Sequence, residues 1–125
     1  TLLSPPDAVA VNASHLTAVM LKEVSDAEQL RESIESASTV ILGPAAGITT
    51  GTKKNVECLL SSKSKAVLDA DALTVFADDK DGFYRQLRSD DLITPHIGEF
   101  NRLFGDLLDS EVNKVEATRK ASRKS

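Results

Sequence analysis

The chain has 125 residues, the length of one domain but short for a complete nucleotide-using enzyme, with 19 acidic and 15 basic side chains and a formal net charge of −4. That balance gives no basis for general affinity for nucleic acid or for an anionic membrane, and four Phe, one Tyr and no Trp leave no platform for stacking single-stranded bases. The single cysteine, Cys58, excludes an internal disulfide, and no paired metal-ligand spacing is present.

No apolar run approaches the roughly 20 residues that span a bilayer, and the N-terminus lacks a charged region followed by an apolar leader. The expectation is a cytoplasmic protein without a membrane partner. Whether it forms a homo-oligomer is left open.

Thr1-Leu2-Leu3-Ser4 reads as the end of a strand whose start is cut off, stopped by Pro5-Pro6 because proline offers no N–H to a ladder. Asp7 to Ala13 suits a short helix. The mostly apolar run from His15 to Leu21 is expected to be a strand or a buried connection, with His15 structural. Ser25-Asp26-Ala27-Glu28 has the form of a capping box. Beyond it Ala27, Leu30, Ile34 and Ala37 share one helical face while Glu28, Arg31, Glu32 and Glu35 face water, predicting an amphipathic helix over about 26–37. Thr39-Val40-Ile41-Leu42 follows, an apolar run without alternation, as expected for a strand covered on both faces.

After Gly43-Pro44-Ala45-Ala46-Gly47 the sequence predicts a helix capped near Thr50 or Thr52, with Val56, Leu59 and Leu60 inward and Cys58 beside them in the core. Ala66-Val67-Leu68 is the next strand, and a helix starts at Asp71, where an acidic residue suits the first turn. Asp78-Asp79-Lys80-Asp81-Gly82 is expected to break it before one or two further turns over 83–87. Leu92-Ile93-Thr94 reads as a strand, followed by a helix from about Gly98 to Phe104 that Gly105 ends in a left-handed conformation. From Ser110 the tail reads as a helix, and its late cations Arg119, Lys120, Arg123 and Lys124 suit the negative end of the helix dipole.

The strand ends at Gly43, Asp69 and Thr94 lie about 25 residues apart, the length of a strand plus a returning helix, so the sequence predicts successive βαβ units with parallel strands. In an open parallel sheet the strand carboxyl ends share one edge, where ligands bind. Three polar segments therefore converge. The loop from Gly43 to Gly47 lets the backbone approach a ligand and turns free N–H groups toward an anion, or is simply a tight turn. Asp69 and Asp71 project to the same side if the extended conformation persists, and suit water-mediated Mg²⁺, a hydroxyl or a proton; the plainer reading is that Asp69 satisfies a turn and Asp71 caps a helix. His96, on a turn, suits an amide or hydroxyl of a ligand, and Glu99 is a helix cap, a ligand contact, or both.

Taken in order, Gly43-Pro44 followed by Gly47, Val67-Leu68-Asp69-Ala70-Asp71-Ala72-Leu73, and Thr94-Pro95-His96-Ile97-Gly98-Glu99-Phe100-Asn101-Arg102-Leu103 resemble the ATP- or ADP-dependent NAD(P)H-hydrate dehydratase family. The resemblance implies an α/β ribokinase-like fold in three layers, a mostly parallel sheet flanked by helices, with residues 1–125 forming a central part of the domain that is incomplete at both ends. It implies repair of hydrated NADH or NADPH: the ring hydroxyl is phosphorylated from ATP or ADP with Mg²⁺, and phosphate then leaves. It places Gly47, His96, Glu99, Phe100, Asn101 and Arg102 against the substrate, and Gly43, Pro44, Asp69 and Asp71 on the phosphate and nucleotide side.

The family has glycine where this chain has Ala45, and a methyl there restricts φ. Thr17-Ala18 stands where a Pro-Glu pair is common. The family's downstream Gly-Asp segment, which supplies the catalytic aspartate, is not among these residues, so no catalytic residue is assigned and the 125 residues alone are expected to be inactive. Two other readings stand beside this one: another ribokinase-like small-molecule kinase, against which the 94–103 motif weighs, and a non-catalytic nucleotide-binding or structural paralogue.

Overall fold

A computed structural model describes residues 1–107 and 114–124. The chain opens with β1 (Leu2–Ser4), which pairs in parallel with β2 (Leu21–Glu23). Between them a 3-10 turn (Pro6–Ala8) runs into α1 (Val9–His15), and the Asn12 side chain ties α1 to β1 by donating to Ser4 Oγ at 2.8 Å. The run from His15 to Leu21 is neither a strand nor a buried connection. Val19 and Met20 are exposed in a loop, and the strand begins only at Leu21. Lys22 and Glu23 face solvent, so β2 carries no apolar alternation by which a sequence would reveal it.

The second sheet is built as predicted. β3 (Thr39–Leu42), β4 (Lys65–Leu68) and β5 (Leu92–Ile93) are parallel in that order, with Leu42 opposite Leu68 and Leu68 opposite Ile93. Before it comes α2 (Ala27–Glu35), which buries Leu30 and Ile34. Its cap lies one residue beyond the expected serine: Gln29 N–H donates to Asp26 Oδ1 at 2.9 Å, and Ser25 N–H donates to the Gln29 side chain at 3.0 Å. Aspartate caps as well as serine does.

α3 (Thr50–Leu60) returns from β3 to β4, packs on α2, and buries Val56, Leu59 and Leu60, with Cys58 half-buried against them. α4 (Asp71–Thr74) and α5 (Lys80–Tyr84) connect β4 to β5. Residues 78–82 do not merely break a helix. Asp79 caps α5 by accepting from Gly82 N–H at 3.2 Å, because an aspartate three residues ahead of a free N–H starts a turn as readily as it ends one. α6 (Ile97–Phe104) then packs on α4, and Gly105 continues it into a 3-10 turn (Gly105–Leu107) at φ −55°, not the left-handed conformation expected. α7 (Lys114–Lys124) buries Ala117 and Ala121 and exposes Arg119, Lys120 and Arg123; residues 110–113 and 125 of the expected tail helix lie outside the described residues.

The core is aromatic at one end. Phe76 stacks on Phe83 with ring centroids 4.7 Å apart, Tyr84 on Phe104 at 5.2 Å, and the Tyr84 hydroxyl donates to the Leu103 carbonyl. Burial raises the Tyr84 pKa, and the charges of Asp106 and Asp81 add to the effect. Leu68, Leu73 and Leu103 join these rings, each such side chain contributing about 1.5–3 kcal/mol of apolar burial.

A polar clamp holds the crossover into β5. Arg88 donates to the carbonyls of Ser62 and Ser64 at 2.5 and 2.7 Å and to both oxygens of Asp91, while Asp91 Oδ1 also accepts from Ala66 N–H at 2.9 Å. Burial pushes the Asp91 carboxyl up, but the hydrogen bonds from Arg88 and from the backbone outweigh it and hold the group below the ordinary carboxylate range; the same pair raises Arg88.

β3 departs from expectation in one respect. Ile41 is 70% exposed, and across the register it stands beside Val67 and then Leu92, itself 56% exposed. The strand alternates, with Val40 and Leu42 half-buried against the core and Thr39 and Ile41 exposed. The class is nonetheless the one expected: α/β, with parallel sheets flanked by helices.

Candidate functional site

The carboxyl ends of β3, β4 and β5 lie side by side, and the loops that leave them form the candidate site. The first loop is a tight turn in which Ala46 N–H donates to Gly43 O at 3.0 Å. Pro44 takes the first central position, where its fixed φ is favourable, and Ala45 takes the second at φ +56°, the position where a type II turn calls for glycine. The chain therefore adopts the glycine conformation at Ala45 despite its methyl group. Past the turn Gly47 has φ +78°, and Thr49 caps α3 by accepting from Thr52 N–H at 3.1 Å. Thr52, almost fully buried, donates from Oγ1 to Ala46 O at 2.9 Å and braces the loop against its helix.

The second loop is as tight. Ala72 N–H donates to Asp69 O at 3.1 Å, and Ala70 between them has φ +51°, ψ −118°. Those angles belong to the first central position of a type II′ turn, another glycine position. The extended conformation that would have aimed Asp69 and Asp71 to the same side ends there. Asp69 Oδ1 instead accepts from Ala70 N–H at 2.9 Å, and Asp71 Oδ2 crosses to the first loop and accepts from Gly47 N–H at 2.8 Å. Asp71 is the first residue of α4 and does not cap it.

The two loops also touch at their base. A Cβ on Gly43, which has φ +130°, would lie 1.8 Å from Asp69 O. Only glycine permits that approach.

The third loop joins β5 to α6. Thr94 N–H extends the pairing by donating to Leu68 O at 3.1 Å. His96 is the N-cap: its Nδ1 accepts from Gly98 N–H at 2.9 Å, and its own N–H donates to Glu99 Oε2 at 2.9 Å, a reciprocal capping box. Because Nδ1 accepts, the neutral ring carries its proton on Nε2, which faces Glu99 Oε1 at 3.2 Å. The His96 ring is exposed, whereas Glu99 is only 5% exposed. Phe100 packs against Phe104 at 9% exposure, and Asn101 and Arg102 lie exposed on the outer side of α6.

Thus Gly43, Pro44, Gly47, Asp69 and Asp71 form one interlocked unit on the ends of β3 and β4, His96 and Glu99 form a second past the end of the next strand, β5, and Phe100 sits beneath it in the core. The α3 cap was expected near Thr50 or Thr52, but Thr49 caps the helix and Thr52 braces the loop instead; the tight turn at Ala45 was legible, whereas the turn at Ala70 was not, because alanine there signals nothing.

Among the described residues no group of three or more His, Cys, Asp and Glu side chains converges as a metal site. Asp69 and Asp71 each accept one backbone N–H through one carboxylate oxygen. A separate hollow of about 280 Å³ beside α5 is lined by Asp78, Asp79, Lys80, Asp81, Tyr84 and Asp106, four carboxylates against one cation, a net negative charge that repels phosphate. There Lys53 pairs with Asp79 at 3.0 Å and holds its carboxyl below the usual range. Among the described residues no helix is long and apolar enough to cross a membrane.

Comparison with known proteins places this arrangement. The sequence model of the NAD(P)H-hydrate dehydratase family matches residues 1–125. The bifunctional NAD(P)H-hydrate repair enzyme Nnr of Coxiella burnetii is 30% identical over 105 residues, 84% of this chain and 20% of that protein. The enzyme of the same name from Archaeoglobus fulgidus is 34% identical over 99 residues, 79% of the chain and 19% of the relative, and that of Thermosynechococcus vestitus is 30% identical over 118 residues, 94% and 22%. The chain thus spans about one fifth of the length of these curated relatives. No solved structure matches it. With the family pattern covering the chain from end to end and its three motifs set on adjacent strand ends, the chain belongs to the NAD(P)H-hydrate dehydratase family.

Proposed function

We propose that this chain forms the substrate-side part of an enzyme that dehydrates hydrated NADH or NADPH at the expense of ATP or ADP. The observation that carries this reading is the family match over the whole chain, and the convergence of three loops on one sheet edge supports it. Gly47 and the Gly43-Pro44 turn lie against the hydrated dinucleotide or the phosphoryl group in transfer. His96 offers the exposed edge of its ring to the nicotinamide side, with Glu99 holding the ring in place, and Asn101 and Arg102 reach the substrate from the outer side of α6. Phe100 contributes from beneath by fixing the helix.

ATP or ADP, when bound, supplies the phosphoryl group that turns the ring hydroxyl into a leaving group. Mg²⁺ belongs to this reading as the partner of the nucleotide. The work of this chain is binding and orientation. A free, half-buried thiol at Cys58 suits the reducing cytoplasm in which reduced nicotinamide cofactors are used.

The test uses the natural gene product that carries these residues, given hydrated NADPH with ATP or ADP and followed by the return of reduced-nicotinamide absorbance. Nucleotide-dependent return is expected, with turnover lowered by about 10-fold or more in His96→Ala, the loss of one hydrogen-bonding contact to the substrate. Kinetics unchanged by His96→Ala would reject its contact with the substrate, and no nucleotide-dependent return would reject the activity.

A further inference from the structure

We propose that Asp71 is a positioning residue that acts through Gly47, and that it does not itself bind the phosphate or nucleotide. This deepens the reading above and rests on it for its link to substrate.

Asp71 and Gly47 are 24 residues apart, on loops that leave neighbouring strands, yet Asp71 Oδ2 lies 2.8 Å from Gly47 N. A carboxylate accepting a backbone N–H is among the stronger hydrogen bonds a loop can have. The geometry that delivers it is costly. Ala70 is held at φ +51°, ψ −118°, a conformation that an L-residue rarely adopts, and the turn it makes carries Asp71 out of the line of β4 and toward the first loop.

The obvious alternative is a local role in α4. That helix has four residues and no side-chain cap, and the carboxylate oxygen with a partner is bonded to another loop and not to α4. The same loop is held at its other points as well. Gly43 is pressed against Asp69 O, and Thr52 donates to Ala46 O from α3. Asp71 supplies the remaining fixed point, so residues 43–47 have one conformation set from both sides. A consequence follows for recognition. With that bond made, the N–H of Gly47 is already engaged, and Gly47 meets a ligand through its bare Cα face, where the absence of a side chain allows close approach.

The experiment measures amide hydrogen exchange in the ¹⁵N-labelled chain, read at Gly47. In Asp71→Ala exchange at Gly47 accelerates about 10-fold or more, and Asp71→Asn, which keeps an acceptor of the same length, restores most of the protection. Changes confined to the amides of Leu73 and Thr74, with Gly47 unmoved, would assign Asp71 to its own helix and overturn the proposal. If a variant fails to fold, the wild type decides alone: a Gly47 amide that exchanges as fast as an open loop amide overturns the tether, and a protected one supports it. A second arm measures hydrated NADPH binding, expected to weaken about 10-fold in Asp71→Ala and to recover in Asp71→Asn. Unchanged binding in Asp71→Ala beside accelerated exchange overturns the functional half of the proposal. A wild type that binds no hydrated NADPH refutes the proposed function and, with it, that half, leaving the tether to be judged by hydrogen exchange.

Discussion

Replacing Gly43 by alanine tests whether the first two loops are interlocked. The new Cβ would stand 1.8 Å from Asp69 O, 2.8 Å from Ala72 Cβ and 2.9 Å from the Asp69 carbonyl carbon. None of these is the far end of a flexible side chain. The Asp69 oxygen already accepts from Ala72 N–H, so moving it loosens the turn that starts α4, at a cost of about 1 kcal/mol for the hydrogen bond. Overpacking adds about 1–3 kcal/mol, and the φ of +130° adds strain of similar size for any L-residue. Alanine recovers only about 0.4–1 kcal/mol by restricting the unfolded chain. The expected net loss is about 2–7 kcal/mol, a large part of the roughly 5–15 kcal/mol that stabilises a typical domain. Urea denaturation followed by far-ultraviolet circular dichroism measures it. A Gly43→Ala unfolding free energy within about 0.5 kcal/mol of the wild type would refute the close approach of the two loops.

The opposite change is expected at the two alanines in glycine conformations. Ala45→Gly and Ala70→Gly should each stabilise the chain by about 0.5–1 kcal/mol, since about 1–2 kcal/mol of backbone strain is relieved against the greater flexibility of unfolded glycine; lower urea midpoints would contradict the φ values. Asp91, whose folded pKa is lowered, contributes stability that is fully present above its ordinary value of 3.8 and is lost as pH falls below that value through the folded one. Acid titration of stability should therefore be flatter over that range in Asp91→Asn, at lower stability near neutral pH, and an unchanged acid limb would remove the Arg88 clamp from the account.

The helices that pack were legible because apolar side chains recur at helical spacing: Leu30 and Ile34 in α2 and Val56, Leu59 and Leu60 in α3 are buried as their positions imply. The parallel strands were legible from repeated spacing. β2 was not, since Lys22 and Glu23 in a strand paired on one side look like loop. The continuous apolar run of β3 implied two covered faces, yet Ile41 is exposed, because burial depends on what packs above the strand and not on the strand itself. At the site, sequence could bring Gly43, Asp69 and His96 to one edge but could not orient them. The aim of Asp71 depends on the unusual conformation of Ala70, and alanine carries no sign of it. The role of His96 as a cap was half legible, through Glu99 three residues later.

The most direct measurement for the whole account is a titration of the ¹⁵N-labelled chain with hydrated NADPH. The account predicts saturable shifts concentrated at the amides of Gly43, Gly47, Ala70, His96 and Gly98, the three loops at the sheet edge. Saturable shifts centred elsewhere, such as around Asp78 and Asp81, or no shifts at all, would contradict it.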